Sequence, residues 1–361
     1  MPGLEIRNLT ASFPDSRGRP VPVLDDLSLE IPEGLLVSII GPIGSGKTTL
    51  LRTIAGLHPP DRGEILWNDS PLPADLKSRS RHVSHLPCDT ALFPHLSVAE
   101  NLGLALDWRK LPTQEKRKAM DSVIACFELE PLLPQKPDAL SSGQRQTAGL
   151  ARSFASTTPL LLLDEPLSNC DRLSRFRILQ KIRNLSRENG TTLIMVTHHQ
   201  EEAFALDGRM VVMRAGTIEE CNSAEKLYHQ PQSPFTAHFV GRHPMNLIKG
   251  RIRHEDGHWC FLPEGGEPPI IVEPANEPEG EPHADHPVVL GIRCDDIEIQ
   301  PTPGDAHGVC SESRFLGNGW MIQVQTPQKV EVLSRSVFPE GTRVSLKFSP
   351  RHLVVFPPEP S

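Results

Sequence analysis

The segment Gly41–Thr48 reads GPIGSGKT and fits the pattern G-x-x-x-x-G-K-[ST]. It follows the short apolar run Leu35–Ile40 and precedes a helix that we expect to begin near Thr48 and end at Gly56. Glycines in such a loop let backbone N–H groups turn inward around phosphate groups, and the helix N-terminus adds partial positive charge. Lys47 would supply a charge to the phosphates, and Thr48 would supply a hydroxyl ligand to Mg²⁺. By itself, this motif predicts nucleotide binding and nothing further.

A second apolar run, Leu160–Leu163, ends in the two carboxylates Asp164 and Glu165. Such a strand can hold Asp164 near the phosphate loop, where it would fix Mg²⁺ through water. Glu165 would then face the terminal phosphate and orient or deprotonate the attacking water molecule. An Asp-Glu pair after a core strand is common on protein surfaces, but its presence beside a phosphate loop favours nucleotide hydrolysis.

Composition divides the chain near residue 240. The first 240 residues alternate strand-like and helix-like patterns, which predicts an α/β domain with a largely parallel sheet. After Gly241 the pattern changes to short β-type runs broken by Pro, Gly and Asn, which predicts a small barrel. This part holds 16 of the 36 prolines and is the more acidic part, with 11 basic and 17 acidic residues. Its segment Pro263–Pro287 is rich in Pro, Glu and Gly and is predicted to be a long exposed loop.

Apolar residues in the segment between the second and third buried strands recur every three positions. They predict one face of a helix that Gly190 ends. The residues of this predicted face are Leu173, Phe176, Leu179, Ile182 and Leu185.

The overall composition excludes several classes of protein. The chain has 37 Lys and Arg against 45 Asp and Glu, a net charge of −8, which argues against nucleic acid as a partner. Every apolar run is much shorter than the about 20 residues that a membrane-spanning helix needs. The chain does not open with a charged and then apolar segment, so we do not expect secretion through a signal peptide. The seven cysteines form no C-x-x-C pair, so we expect reduced thiols in a cytosolic protein.

The segment Leu140–Gln144 reads LSSGQ. With it, the sequence resembles the ATP-binding subunits of ABC transporters, whose signature is L-S-G-G-Q, and the resemblance covers essentially the whole chain. The other family motifs follow in the family's order: Ser168–Asp171 matches the D-loop, and His198 after a predicted strand matches the switch histidine.

The resemblance implies an α/β fold, a P-loop NTPase cassette at residues 1–240. The cassette would have a parallel-sheet core, an antiparallel β subdomain and a helical insert at about residues 89–155. A small all-β domain would follow at residues 241–361, an oligonucleotide-binding (OB)-like barrel of the kind called TOBE.

The resemblance also implies ATP and Mg²⁺ as cofactors, and it assigns roles to single residues. Glu165 and His198 would be catalytic, and Thr48 and Asp164 would bind the metal. Phe13 would stack on adenine, whereas Ser141 and Gly143 would bind the nucleotide held by a partner subunit. The residues implied to bind nucleotide are Phe13, Gly41, Pro42, Ile43, Gly44, Ser45, Gly46, Lys47, Thr48, Thr49, Ser141, Gly143, Gln144 and Asp171.

Two positions depart from the family pattern. Cys88 occupies the position of a glutamine at the junction with the helical insert. A thiol is a poor Mg²⁺ ligand and a weak hydrogen-bond partner for water, so we expect altered ATP sensing or altered coupling of hydrolysis to transport. Ser142 replaces the first signature glycine, which is the milder change because Ser141 and Gly143 remain. We still expect ATP hydrolysis.

Three segments of the tail carry the resemblance to the TOBE domain of importer subunits: Gly241–Ile248, Gly291–Ile297 and Pro350–Leu353. The start M-N-L-I resembles the importers for sugars and glycerol-phosphate of the maltose type. The same tail occurs in subunits for iron, polyamines, sulfate and phosphonates, so these solutes remain alternatives at the level of family analogy. A tail that only stabilises a dimer is as good an interpretation as a ligand sensor.

The leading hypothesis is therefore the ATPase subunit of an importer. Two copies would form a homodimer in the ATP-bound state, peripheral on the cytoplasmic face of the inner membrane. They would bind transmembrane permease subunits and, through these, depend on a solute-binding protein. Two other classes stay open: a soluble ABC ATPase of DNA repair or translation, and a non-hydrolysing nucleotide-binding regulator in which Cys88 marks degeneration.

Overall fold

The computed structural model describes residues 3–79, 82–89, 92–107, 112–255, 258–265, 270–272, 286–304, 307–349 and 352–358. Most of the predicted loop Pro263–Pro287 lies outside these residues, as do Pro350 and Arg351 of the third tail segment and six residues of the predicted helical insert. The chain divides into two compact units, Met1–Ala224 and Glu225–Ser361.

The first unit begins with two long strands and then alternates strands with helices. Its strands are β1 (Gly3–Pro14), β2 (Pro20–Pro32), β3 (Leu36–Ile40), β4 (Arg62–Trp67), β5 (Ser70–Pro71), β6 (Val83–Leu86), β7 (Leu160–Asp164), β8 (Thr192–Val196), β9 (Arg209–Arg214) and β10 (Thr217–Ser223). Its helices are α1 (Lys47–Ile54), α2 (Leu76–Arg79), α3 (Val98–Asp107), α4 (Thr113–Phe127), α5 (Ser142–Ala155), α6 (Arg172–Asn189) and α7 (Gln200–Leu206).

A six-stranded sheet in the order β10-β9-β3-β8-β7-β6 forms the centre of the first unit. All its neighbours pair in parallel except β9 and β10. The run of four leucines in β7 follows from burial on both faces. Leu160 and Leu162 pack into one core cluster and Leu161 and Leu163 into another, because successive side chains of a strand point to opposite faces.

The two core clusters differ in what covers the sheet. One contains apolar side chains of α1 together with those of the antiparallel sheet β2-β1-β4-β5. The other contains side chains of α3, α4, α5 and α6. The antiparallel subdomain and the helical insert are thus attached to the parallel sheet through separate hydrophobic cores.

The five apolar residues of α6 do not share one environment. Leu179, Ile182 and Leu185 are buried, but Leu173 and Phe176 are exposed, so the prediction that all five share one face was wrong. A repeat of three residues drifts by about 60° per step around a helix of 3.6 residues per turn. The four steps between five such residues add up to about 240°, so the five residues cannot share one face. Gly190 ends the helix as predicted, with a positive φ of 63°.

The second unit is mostly antiparallel β-structure. Its helices are α8 (Ala224–His229, whose first residue belongs to the first unit) and α9 (Pro234–Phe239). Its strands are β11 (Asn246–Glu255), β12 (His258–Pro263), β13 (Ile270–Val272), β14 (His286–Ile292), β15 (Ile297–Pro301), β16 (Gly308–Phe315), β17 (Trp320–Gln325), β18 (Val330–Ser334), β19 (Arg343–Phe348) and β20 (Val354–Phe356). They form the sheets β13-β12-β11-β14-β20 and β15-β19-β16-β17-β18, which contribute to one core cluster.

The boundary between the units lies sixteen residues before the sequence-predicted boundary at 240/241. Arg293 gives a physical reason. Its guanidinium is buried and donates hydrogen bonds to the carbonyl oxygens of Tyr228, Ala237 and Val240 at 2.7–3.1 Å. These bonds hold α8 and α9 on the β-structure that follows them.

The predicted fold class is confirmed: a cassette with a parallel-sheet core, an antiparallel β subdomain and a helical insert precedes an all-β domain. Among the residues that the structure describes, no helix is long and apolar enough to cross a membrane.

Candidate functional site

The phosphate loop connects β3 to α1, and steric constraints require glycine at some of its positions. Gly44 and Gly46 have φ angles of 81° and 99°, which favour glycine. A Cβ added to Gly46 would lie 2.8 Å from the carbonyl oxygen of Val23 and 2.9 Å from Leu24 Cδ2. The tight loop geometry and the packing beneath it therefore both require glycine at position 46.

Lys47 starts α1 and folds its side chain back across the loop. Its Nζ donates to the carbonyl oxygens of Gly41 and Pro42, each at 2.8 Å, and to Ser45 Oγ at 3.4 Å. Burial lowers the pKa of Lys47, whereas the nearby carboxylates of Glu165 and Asp164 act in the opposite direction. The structure thus places a partly buried amine inside the loop that is predicted to surround phosphate.

Thr48 and Asp164 meet although 116 positions separate them in sequence. Thr48 Oγ1 donates to Asp164 Oδ1 at 3.1 Å. Burial is the main cause that raises the pKa of Asp164, and the hydrogen bond from Thr48 partly opposes it. Hydroxyl and carboxylate oxygens are the ligands that Mg²⁺ prefers, and a divalent cation would also favour the charged form of the buried carboxylate. The two residues therefore fit a magnesium site.

Glu165 and His198 meet at the carboxyl ends of the neighbouring strands β7 and β8. Asp164 pairs with Val196 in the parallel register, which brings the residues that follow both strands to one edge. His198 Nδ1 lies 2.7 Å from Glu165 Oε2. Glu165 has a φ of 50°, a conformation that L residues other than glycine adopt rarely, and its N–H donates to the carbonyl oxygen of Val196 at 3.0 Å.

The signature residues form the start of α5. Ser141 Oγ accepts from the N–H of Gln144 at 3.2 Å, and Gln144 Oε1 accepts from the N–H of Ser141 at 2.9 Å, which is a capping box. Ser142 is the first residue of the helix and is exposed, so its replacement of glycine fits the local fold. A Cβ added to Gly143 would meet nothing within 4 Å. Nothing described in this chain therefore requires glycine at position 143.

Phe13 lies near the end of β1 and stacks on a residue that sequence analysis missed. Its ring lies 4.3 Å from the ring of His58, at an interplanar angle of 12°. Phe13 remains 37% exposed. His58 follows α1 and is brought to Phe13 by the fold, and no motif in the sequence marks it.

Asp171 is the N-cap of α6. Its Oδ1 accepts hydrogen bonds from the N–H groups of Leu173 and Ser174, both at 3.0 Å. Hydrogen bonding, that of Ser174 first, lowers the pKa of Asp171. A helix cap accounts for the aspartate within this chain, and any contact with nucleotide would be additional.

Cys88 lies in the loop after β6, exposed and close to the two carboxylates of the site. Partial desolvation raises the pKa of its thiol, and Asp164, Asp89 and Glu165 raise it further, whereas a hydrogen bond with Ser168 lowers it. A raised pKa keeps the thiol protonated near neutral pH. At this position the chain therefore has a neutral, weakly polar group beside two carboxylates.

A buried carboxylate that contacts the residue before His198 also escaped sequence analysis. Glu202 is only 1% exposed, and its Oε2 accepts from Thr197 Oγ1 at 2.6 Å. Thr197 Oγ1 in turn accepts from the N–H of His199 at 3.0 Å. Arg175 Nε lies 3.1 Å from Glu202 Oε1, so the pair connects α6, α7 and the segment that carries His198.

Comparisons with known proteins bear on the family and the fold of this chain. The ABC transporter family profile matches residues 24–168, and the TOBE domain profile matches residues 290–356. A dimeric ATP-binding cassette solved in a post-hydrolysis state with ADP and Pi is 29% identical and covers 61% of this chain and 98% of its own, with a TM-score of 0.55.

Three curated proteins illustrate the sequence similarity. The sn-glycerol-3-phosphate import ATP-binding protein UgpC 1 of Rhizobium johnstonii is 42% identical over 65% of this chain and 63% of its own length. The spermidine/putrescine import ATP-binding protein PotA of Marinobacter nauticus is 34% identical over 93% of this chain and 88% of its own. The sulfate/thiosulfate import ATP-binding protein CysA of Mesorhizobium japonicum is 34% identical over 93% of this chain and 95% of its own.

Proposed function

Because this chain belongs to the ABC transporter family of ATP-binding subunits, we propose that it binds and hydrolyses ATP to drive an importer. One observation carries the hydrolytic part: Glu165 Oε2 lies 2.7 Å from His198 Nδ1, beside the Thr48–Asp164 pair. A carboxylate oriented by a histidine at the edge of a phosphate loop is arranged to take a proton from water.

In the proposed mechanism each residue has one task. The N–H groups of the loop and the Lys47 amine bind the phosphates. Thr48 Oγ1 and Asp164 would hold Mg²⁺, and the bound ion would neutralise phosphate charge. Glu165 accepts a proton from the attacking water through one carboxylate oxygen, while His198 fixes the orientation of the other. The base would stack on the exposed part of Phe13.

The proposed nucleotide-binding form is a homodimer. Ser141 is exposed and Gly143 is partly exposed at the start of α5, and the chain's own packing does not explain Gly143. A phosphate of a nucleotide bound to a second copy would explain it, because a side chain at this position would obstruct its approach to the helix N-terminus. The dimeric state of the similar solved cassette supports this assembly. Gln144 would act mainly through the capping box.

The proposed partners are transmembrane permease subunits on the cytoplasmic face of the inner membrane, served by a solute-binding protein. The import function named for the three similar proteins supports this part. We propose a sugar or a glycerol-phosphate as the solute, since two relatives at 42% and 36% identity are glycerol-3-phosphate import proteins. Polyamines, sulfate and osmoprotective compounds are the competing solutes. We further propose that the cassette sequence spans residues 1–240 and the TOBE-like sequence residues 241–361, with residues 225–240 belonging to the second compact unit of the fold.

The test of hydrolysis is steady-state turnover of the purified full chain with Mg²⁺-ATP, compared with Glu165→Gln. We expect the variant to bind ATP normally and to lose at least about a hundredfold in kcat, the usual size of a general-base contribution. Equal and negligible rates for both proteins would refute hydrolysis. They would favour the alternative hypothesis of a non-hydrolysing regulator, in which Cys88 marks degeneration of the site.

The test of the importer role is co-expression with candidate permease pairs. Purification from membranes should recover the chain in a complex whose ATPase rate rises with solute. Radiolabelled glycerol-3-phosphate, maltose, putrescine and sulfate would then be compared for uptake. A chain that never associates with a permease would contradict the importer proposal, while ATP turnover alone would stand.

A further inference from the structure

Gln146 occupies a buried position between the signature helix and the loop that carries Glu165. It lies on α5 and is 2% exposed. Its Nε2 donates to the carbonyl oxygen of Glu165 at 3.3 Å, and its Oε1 accepts from the N–H of Asn169 at 3.1 Å. One side chain thus joins α5 to two points of the segment that follows β7.

The Glu165 backbone is where such support matters. Its positive φ of 50° is costly for a residue with a Cβ and persists only where surrounding contacts hold it. Its N–H is bonded to Val196, and its carbonyl accepts from the N–H of Ser168 at 3.3 Å as well as from Gln146. Gln146 is the side-chain donor among these contacts and comes from another element of the fold.

The other end of this link is the signature. Gly143 and Gln146 lie three residues apart on one helix, about 4.5 Å along its axis. The capping box of Ser141 and Gln144 fixes the start of the same helix. A movement of the signature end would therefore reach the amide of Gln146 through less than one helical turn.

We propose that Gln146 is a positioning residue that couples the two nucleotide sites of the dimer. This inference rests on the proposed function. The signature end of α5 faces the nucleotide of the second copy, and through Gln146 its position fixes the backbone of Glu165 at the nucleotide of its own copy. Engagement of one nucleotide thereby orients the general base at the other, so the two sites turn over cooperatively.

The experiment measures ATPase rate against ATP concentration for the full-length protein and three variants. Gln146→Met keeps the length of the side chain and loses both hydrogen bonds. Gln146→Glu keeps the acceptor for Asn169 and loses the donor to Glu165. Thr147→Val is the matched control, because it removes a hydrogen bond that stays within α5, from Thr147 Oγ1 to the carbonyl of Gly143.

We expect a Hill coefficient above 1 for the wild type and for Thr147→Val. Gln146→Met should lower kcat about tenfold, the effect of losing a positioning hydrogen bond, and bring the Hill coefficient to 1. The KM for ATP should stay within about twofold of wild type, because the phosphate loop is unchanged.

The pH dependence of kcat in Gln146→Glu separates loss of the hydrogen bond from loss of packing, because a packing defect alone would not change with pH in this way. A buried carboxyl is neutral at low pH and then has an O–H that can donate to the Glu165 carbonyl. The ratio of its kcat to that of the wild type should therefore rise as the pH is lowered, whereas the ratio for Gln146→Met should stay flat.

Three results would overturn the inference. The first is an unchanged kcat and Hill coefficient in Gln146→Met. The second is a loss of kcat in both Gln146 variants that only follows the folded fraction in thermal unfolding, with a flat pH ratio. The third is a wild-type chain that does not hydrolyse ATP, which would overturn the proposed function as well, whereas the first two leave that function intact.

Discussion

Arg293 offers the sharpest test of how the second unit is built. The residue is 1% exposed, and its guanidinium makes four hydrogen bonds to carbonyl oxygens of the segment that contains α8 and α9. The guanidinium carbon also lies 4.3 Å from the centre of the Tyr228 ring. The perturbation is Arg293→Met, which keeps much of the apolar stem and removes every donor.

The magnitude follows from these contacts. Hydrogen bonds that involve a charged group contribute about 1.5–3 kcal/mol each, and contributions of neighbouring bonds are not additive. Two effects make the loss of stability smaller than the sum of the four hydrogen bonds. The carbonyl of Ala237 keeps a bond from the N–H of Met245 at 3.3 Å, and the variant no longer buries a cation. Burial indeed lowers the pKa of Arg293, which indicates a desolvation cost. We expect a net loss of about 3–5 kcal/mol in the unfolding free energy of the second unit.

The assay is thermal unfolding of the full chain with peptide-resolved hydrogen exchange. We expect the unfolding midpoint of the second unit to fall by about 10 °C, and exchange in α8 and α9 to accelerate first. Arg343→Met, at an exposed position of β19, is the matched control and should leave both unchanged. An Arg293→Met protein with the midpoint and the exchange pattern of the wild type would refute the assignment of α8 and α9 to the second unit.

Three further predictions concern the nucleotide site. His58→Ala should raise the KM for ATP about fivefold with little change in kcat, because the loss of an aromatic stack of about 1 kcal/mol leaves Phe13 less well oriented; a changed kcat at constant KM would contradict this. Asp164→Asn should raise the melting temperature of the nucleotide-free protein at pH 8 but not at pH 4, while nearly abolishing turnover, as calorimetry and ATPase assays can check. The sign follows because a carboxyl whose pKa is raised in the folded state contributes stability at low pH that is lost as the pH rises through that pKa. Cys88→Gln should increase the rate or the solute dependence of hydrolysis in the permease complex, and an equal rate and equal dependence would mean that the thiol performs the task of an amide here.

Local sequence was sufficient for the parts of the site that depend on consecutive residues. The glycines and Lys47 of the phosphate loop specify a turn and the start of a helix by themselves, since their constraints are steric and local. The leucine run ending in Asp164 predicts a strand buried on both faces and a carboxylate at its end. The capping box at Ser141 is likewise a local pattern.

The sequence predicted less well which residues of a helix are buried and which elements pack together. The exposed Leu173 and Phe176 show that apolar character and spacing alone do not fix which turn of α6 is covered. The 240/241 boundary followed a change of composition. The contacts of Arg293 group α8 and α9 with the following strands. Such contacts join residues far apart in the chain, so no local sequence pattern predicts them.

The sequence by itself thus determined the family, the phosphate loop, the two carboxylates and the signature, because these are motifs of consecutive residues with fixed chemistry. Only the tertiary structure decided which distant residues meet around the site: His58 stacks on Phe13, Arg175 pairs with Glu202, and Gln146 donates to the carbonyl of Glu165. Each of these contacts joins positions far apart in the chain or on different elements. Burial makes such partners important for stability, because a polar group that leaves water and finds no hydrogen bond within the protein costs free energy.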